Sequence, residues 1–193
     1  SHPHSLFLDS ALRHSTLGRY SFLAADPFAF HVVPLGNAKS ALSAFESWLR
    51  PFHVATVTGL PPFQGGAAGL LSYDLNRAIE CVPPPRYDEF SLPALAVGLY
   101  DTVLAFDHAE HRAWLISHGF PELEIAPRRR RAEERLRQFQ SWLSQPLSGS
   151  SSPRIADLLP SDELSPQFPV AGFPRLSSNF STEAYRNAVQ RAI

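Results

Sequence analysis

The 193-residue chain reads as an α+β protein, mainly antiparallel sheet with flanking helices, and three observations predict this. Runs of aromatic and β-branched residues, punctuated by turn formers, recur through the first half in the manner of strands. Residues 39–50 and the segment from Pro127 to about 143 switch instead to a helical period. The order strands, helix, strands, helix, linker, helix start is not the alternation of a βαβ chain.

Taken in order, residues 5–11 and 19–33 read as strands, with Asp26-Pro27 as a turn inside the second stretch. Leu42, Phe45, Trp48 and Leu49 form a helical stripe that Pro51 ends. After a Pro-rich loop at 59–62, Phe63 to Asp74 carries Gly65, Gly66 and Gly69 and reads as a closely packed strand running up to Asp74. Pro83-Pro84-Pro85 breaks the pattern. Leu95 to Phe106 and Arg112 to Ser117 then form a hairpin around Asp107-His108-Ala109-Glu110. Pro127 opens a second helix, with Leu136, Phe139, Trp142 and Leu143 on one face and Arg128 to Arg131 beginning the polar side. Residues 144–174 turn to Ser, Pro and Gly and read as a linker. A last helix starts at the cap Ser181, with Glu183 at its positive end and Tyr185, Val189, Ala192 and Ile193 along an apolar face. The chain has no methionine and that helix has no terminator, so the expectation is a fragment of a longer polypeptide, with a further segment covering the helix.

Composition narrows the function classes. Seventeen basic against eighteen acidic residues give a net charge of −1, which supplies no pull toward nucleic acid or an anionic membrane. Cys81 is the only cysteine, so an intrachain disulfide and a cysteine metal cage are excluded, and a reducing, cytoplasmic setting is expected. No apolar run approaches the roughly 18 residues of a membrane span, and the first residues have no signal-peptide pattern.

Several stretches invite chemistry, and most have a plainer reading. The glycines of 65–69 match neither Gly-x-Gly-x-x-Gly nor a phosphate loop ending in Gly-Lys-Ser, so the segment reads as packed strand. Asp107, His108, Glu110 and His111 crowd together, but without His-Glu-x-x-His they read as a solvated turn. Ser72 lacks the Gly-x-Ser-x-Gly context of a hydrolase nucleophile. Arg128 to Arg131 are followed by Glu133 and Glu134, which can pair with them on a solvated helix face. The remaining constellation is Leu8-Asp9-Ser10 with Arg19-Tyr20-Ser21-Phe22. With the two strands side by side, alternation puts Leu8 and Ser10 on one face, where Tyr20 or Phe22 can flank them. Such a set offers partners for an amino-acid ligand; two core strands with a backbone-bonded hydroxyl is the plainer alternative.

Leu6 to Ala11, Gly18 to Phe22, Ala25-Asp26-Pro27, Phe63 to Asp74 with Glu80, Leu92-Pro93, Gly98 to Asp101, and Ser178 to Ser181 with Tyr185 occur in one order. Together they resemble the N-terminal region of the chorismate-using enzymes, the group of component I of aminodeoxychorismate synthase and component I of anthranilate synthase. The resemblance implies the N-terminal part of that group's sandwich fold. It implies a whole protein that aminates chorismate with ammonia from a glutamine amidotransferase, using Mg²⁺ at a site outside this chain. It divides the chain into an N-terminal region 1–143, a linker 144–174, and 175–193 as the start of the catalytic region, so no catalytic or metal-binding residue is expected here. Leu8, Ser10, Tyr20, Ser21 and Phe22 become the expected tryptophan pocket. Asp9 stands where anthranilate synthases typically carry Glu, which favours the aminodeoxychorismate branch, serving p-aminobenzoate and folate synthesis. The alternatives are an anthranilate synthase with a feedback tryptophan site, and a non-catalytic amino-acid-binding module.

Overall fold

The computed structural model describes residues 4–9, 18–83, 88, 90–145 and 165–193. They fall into two compact units, one drawn from Ser1–Val82 and Leu92–Leu147, the other from Pro83–Ser91 and Ser148–Ile193.

Two antiparallel sheets build the first unit. Strands β1 (Leu6–Leu8), β2 (Tyr20–Ala24), β3 (Ala29–Val33), β4 (Gly66–Leu71), β5 (Leu95–Tyr100), β6 (Thr102–Asp107) and β7 (Arg112–Ser117) follow one another along the chain. One sheet has the order β1-β2-β6-β7, the other β3-β5-β4. The turn expected at Asp26-Pro27 is present and parts the 19–33 stretch into β2 and β3, with Asp26 at φ +51°. The apolar run from Leu95 to Phe106 is likewise not one hairpin arm. It divides at Asp101, a residue with no exposed surface, and the two halves join different sheets. The hairpin itself is present as β6–β7, with Asp107 opposite Arg112.

Where the sheets meet, Ala24, Tyr100 and Val103 are buried together with Leu6, Phe22, Phe63 and Ala68 against them. A second apolar cluster joins Val33, Leu75, Leu95 and Val97 to helix α1 (Ala38–Leu49). The helix presents Ala38 and Ala41 as its buried residues, whereas Leu42 of the expected stripe is 41 % exposed. Small side chains at the contact let the helix lie close to the sheet, and Phe45 and Trp48 fill its edge. In β4, a Cβ at Gly69 would lie 2.2 Å from the Ala96 carbonyl oxygen, so only glycine fits beside β5. The strand stops at Leu71 and does not run to Asp74. Ser72 donates its backbone N–H to the Ala94 carbonyl, and Tyr73–Ala78 then turn as a 3₁₀ helix.

Helix α2 (Ile125–Ser144) starts two residues before Pro127 and buries Phe139 and Arg135. Its arginines are not a uniform solvated face. Arg129 pairs with Glu133 at 3.2 Å, as the spacing suggests, but Arg128 and Arg131 donate to the carbonyls of His118 and Phe120 at 2.8 and 2.7 Å. Gly119, between those carbonyls, has φ +70°, and a Cβ there would sit 2.1 Å from the Arg128 oxygen. One turn further on, Arg135 reaches into the interior. Its guanidinium donates to Asp101 at 3.3 Å, to the Asp26 carboxylate at 2.7 Å and to the Asp26 carbonyl at 2.7 Å.

The second unit contains a hairpin of β8 (Phe168–Val170) and β9 (Phe173–Ser178), turning at Gly172 with φ +84°, and helix α3 (Thr182–Ala192). The residues read as linker from 165 to 174 are therefore strand and turn in large part, because Phe168, Val170 and Phe173 flank a glycine able to reverse the chain. The rest of that expected linker, 146–164, lies outside the described residues. Ser181 caps α3 as anticipated, its Oγ accepting from the Ala184 N–H at 3.2 Å.

Replacing Arg135 by Met leaves Asp101 buried without its nearest cation, and a loss of about 3–5 kcal/mol is expected. Urea unfolding of R135M, D101N and the double variant tests this: the double variant regains part of the loss, because the uncompensated carboxylate is gone.

Candidate ligand-binding site

Strand β1 is antiparallel to β2 with Leu8 opposite Phe22, so the expected side-by-side arrangement is present. Residues directly opposite share a face, and neighbours along a strand alternate. Leu8, Tyr20 and Phe22 therefore stand on one face, and Ser21 on the other. Phe22 meets Phe63 edge-to-face at 5.6 Å and Tyr20 at 6.1 Å, and Leu8 beside it stays 44 % exposed. The result is an aromatic wall with an open side. Ser10 lies outside the described residues.

Ser21 faces a different environment. It is buried, and its Oγ lies 2.5 Å from Asp9 Oδ1 and 2.6 Å from His108 Nε2. A hydroxyl has one proton to give, and a carboxylate can only accept, so Ser21 donates to Asp9 and accepts from a proton-bearing His108 Nε2. His108 is thereby a donor toward the serine and not a base for it, and the trio does not form an activated nucleophile. It locks β1, β2 and the β6–β7 turn together. The turn is pinned again from Arg19, whose guanidinium spans Asp107 and Glu110 at 2.5 and 2.9 Å and lies 5.1 Å over the Tyr20 ring. Asp107 also accepts from the backbone N–H groups of Ala109 and Glu110 at 2.9 and 3.1 Å. The Arg19 hydrogen bond, reinforced by those N–H groups, holds the Asp107 carboxyl down at about 2 despite the cost of desolvation.

Residue reading set Arg19 in the constellation without a role and took Asp107 and His108 for a solvated turn; the structure joins all three in this cluster. The cluster depends on β2 pairing with β6, which places Tyr20 opposite Asp107 across 87 positions of sequence. The acidic and histidine-rich turn was the available signal, and its residues face β2 and not solvent alone. No group of three or more His, Cys, Asp or Glu side chains able to hold a metal occurs among the described residues.

No protein-family model matches the chain. Among curated proteins it is 33 % identical over 130 residues to aminodeoxychorismate synthase component 1 of Bacillus subtilis, covering 61 % of the chain and 27 % of that protein. It is 28 % identical over 203 residues to anthranilate synthase component 1 of Geobacillus stearothermophilus, covering 95 % of the chain and 38 % of that protein. Among solved structures, anthranilate synthase component I of Streptococcus pneumoniae superposes with a TM-score of 0.53 at 20 % identity, covering 72 % of this chain and 32 % of the other. The chain is thus homologous to component 1 of both synthases and shares the α+β fold of the latter, and it spans roughly a quarter to two fifths of the length of these relatives.

The depressed Asp107 carboxyl has a definite pH signature. Its folded value, about 2, lies below the ordinary 3.8, so its pairing with Arg19 contributes stability that is present above pH 4 and lost as pH falls toward 2. Acid unfolding followed by circular dichroism is expected to begin at higher pH in D107N at matched ionic strength, and the stability of that variant to change less between pH 4 and 2 than that of the unaltered chain.

Proposed function

We propose that this chain is the N-terminal region of an aminodeoxychorismate synthase component 1, a chorismate-utilising enzyme that installs an amino group on chorismate to give 4-amino-4-deoxychorismate, the precursor of p-aminobenzoate and folate. The observation that carries the reading is the 33 % identity to the Bacillus subtilis protein of that name. Asp9 supports the branch: it stands where anthranilate synthases typically carry Glu, and its carboxylate accepts a hydrogen bond from Ser21. In this reading the present segment is scaffold, and chorismate and Mg²⁺ are held by other parts of a longer protein. Ammonia comes from a glutamine amidotransferase partner or domain, and the setting is cytoplasmic. No helix among the described residues is long and apolar enough to cross a membrane.

The tryptophan pocket belongs to the same proposal. Leu8, Tyr20 and Phe22 supply the apolar wall, Ser10 is proposed to add a hydroxyl, and Ser21 acts from behind by fixing Asp9 and the strand. Anthranilate synthase is the second reading, favoured by the alignment with the Geobacillus stearothermophilus protein over 95 % of the chain.

Product analysis separates the branches. The full-length protein, given chorismate, ammonium and Mg²⁺, is expected to release 4-amino-4-deoxychorismate; anthranilate as the product overturns the branch. For the pocket, calorimetric titration with tryptophan is expected to show F22A binding at least about tenfold more weakly, ~1.4 kcal/mol. Equal binding by the two proteins removes Phe22 from the site.

A further inference from the structure

A partly open aromatic cleft of the first unit lies away from the β1–β2 wall. It is a cavity of about 260 Å³ between the end of α1 and the β3-β5-β4 sheet, walled by Phe28, Phe52, Phe120, Tyr100 and His118 and floored by the backbone of Gly65 and Gly66. Phe28 meets Phe52 at 4.9 Å and 72°, and Phe52 meets Phe120 at 5.2 Å and 60°. Tilted rings of this kind present both faces and edges to the space between them, the geometry that receives a further flat ring. A Cβ at Gly66 would touch nothing within 4 Å, so the floor is open on that side.

The polar groups restrict the guest. Aspartate and glutamate are both missing from the cavity lining. The Arg128 guanidinium lies 4.3 Å over the Phe120 ring. A cationic ligand would find no carboxylate in the lining, so an ammonium compound, an amino acid zwitterion included, is disfavoured. Burial pushes the His118 imidazole below its ordinary value; a hydrogen bond to the Gln64 backbone is the next influence and opposes it, and Arg128 adds to the lowering while Asp101 opposes it. A neutral imidazole that gives its N–H to a carbonyl keeps one acceptor nitrogen. We propose that this cavity binds a neutral one- or two-ring planar aromatic molecule carrying a single O–H or N–H group, its ring among Phe28, Phe52 and Phe120 and its donor on His118. This site shares no residue with the proposed tryptophan pocket, and it goes beyond the proposed function.

The test titrates the full chain with 2-naphthol and with 2-methoxynaphthalene, which has the same rings and no donor, following naphthol fluorescence and the His118 ring signals by NMR. The expected result is saturable binding of 2-naphthol, movement of the His118 signals, and at least about tenfold weaker binding of the methoxy compound. H118F is expected to keep ring binding and lose the preference. V54W, which places a ring in the cavity mouth, is expected to abolish binding while retaining the circular dichroism of the unaltered chain; should V54W not fold, F52A, which removes one wall, is expected to weaken it. Absence of saturable binding to the folded chain, static His118 signals, or a preference that survives H118F overturns the proposal. The product assay is independent of all of these, so failure here does not bear on the branch of chorismate chemistry.

Discussion

The Arg135 guanidinium is the point on which the first unit turns. It is almost completely buried, with 8 % of its side chain exposed, and it faces Asp101, which has none. Removing a charge from water is costly, and here every element of the arrangement answers that cost. Asp26, on the turn between β2 and β3, receives two hydrogen bonds from Arg135, and Gln138 on the same helix receives another. Phe139 lies 5.1 Å beneath the guanidinium. Asp101 stands where the chain leaves one sheet and enters the other, so a single side chain from α2 ties both sheets and their connecting turn together. The compensation is incomplete. Asp101 Oδ2 has no hydrogen-bond partner among the described residues, and its nearest other cation, Arg131, is 4.0 Å away. Burial accordingly pushes the Asp101 carboxyl up, with Arg135 and Arg131 opposing it. Its ionisation works against the folded state as pH rises, the opposite sense from Asp107.

A second polar assembly does for the β1–β2–β6 edge what Arg135 does for the centre. Asp9, Ser21 and His108 form one chain of short hydrogen bonds, and Arg19, Asp107 and Glu110 form another beside it. Both run between β2 and the hairpin turn after β6. Hydrogen-bonded groups of this kind fix register, because a slip by one residue would send Ser21 to the aromatic side and Phe22 to the polar one. The ordered aromatic wall of Tyr20, Phe22 and Phe63 is in this sense a product of the polar side.

Local signals were legible in the sequence and long-range ones were not. The Ser181 cap, the two long amphipathic helices and the β6–β7 hairpin each depend on residues within a few positions of one another, and each is present. The crossing at Asp101 was hidden because Leu95 to Phe106 is apolar on both sides of it, and continuous apolar runs carry no mark of which sheet they enter. The β8–β9 hairpin was hidden by the Ser- and Pro-rich residues around it. The candidate site was half legible. Its strands and their pairing followed from alternation, but Ser21 alternates with Tyr20 and Phe22 and cannot share their face. Of the partners of Ser21, Asp9 comes from the neighbouring strand end, whereas His108 arrives from 87 positions along the chain.

This division of β2 into two chemistries bears on the question of branch. Any ligand at the aromatic face touches Leu8, Tyr20 and Phe22, whereas Asp9 and Ser21 are occupied with each other and with His108 on the reverse. A change at position 9 therefore acts on such a ligand through the placement of β1 and not by direct contact. Asp and Glu at that position differ by one methylene, so the two would reach the Ser21 hydroxyl from different distances. The residues of the aromatic face and the polar residues that hold β1 against β2 are thus distinct sets on opposite sides of the same two strands.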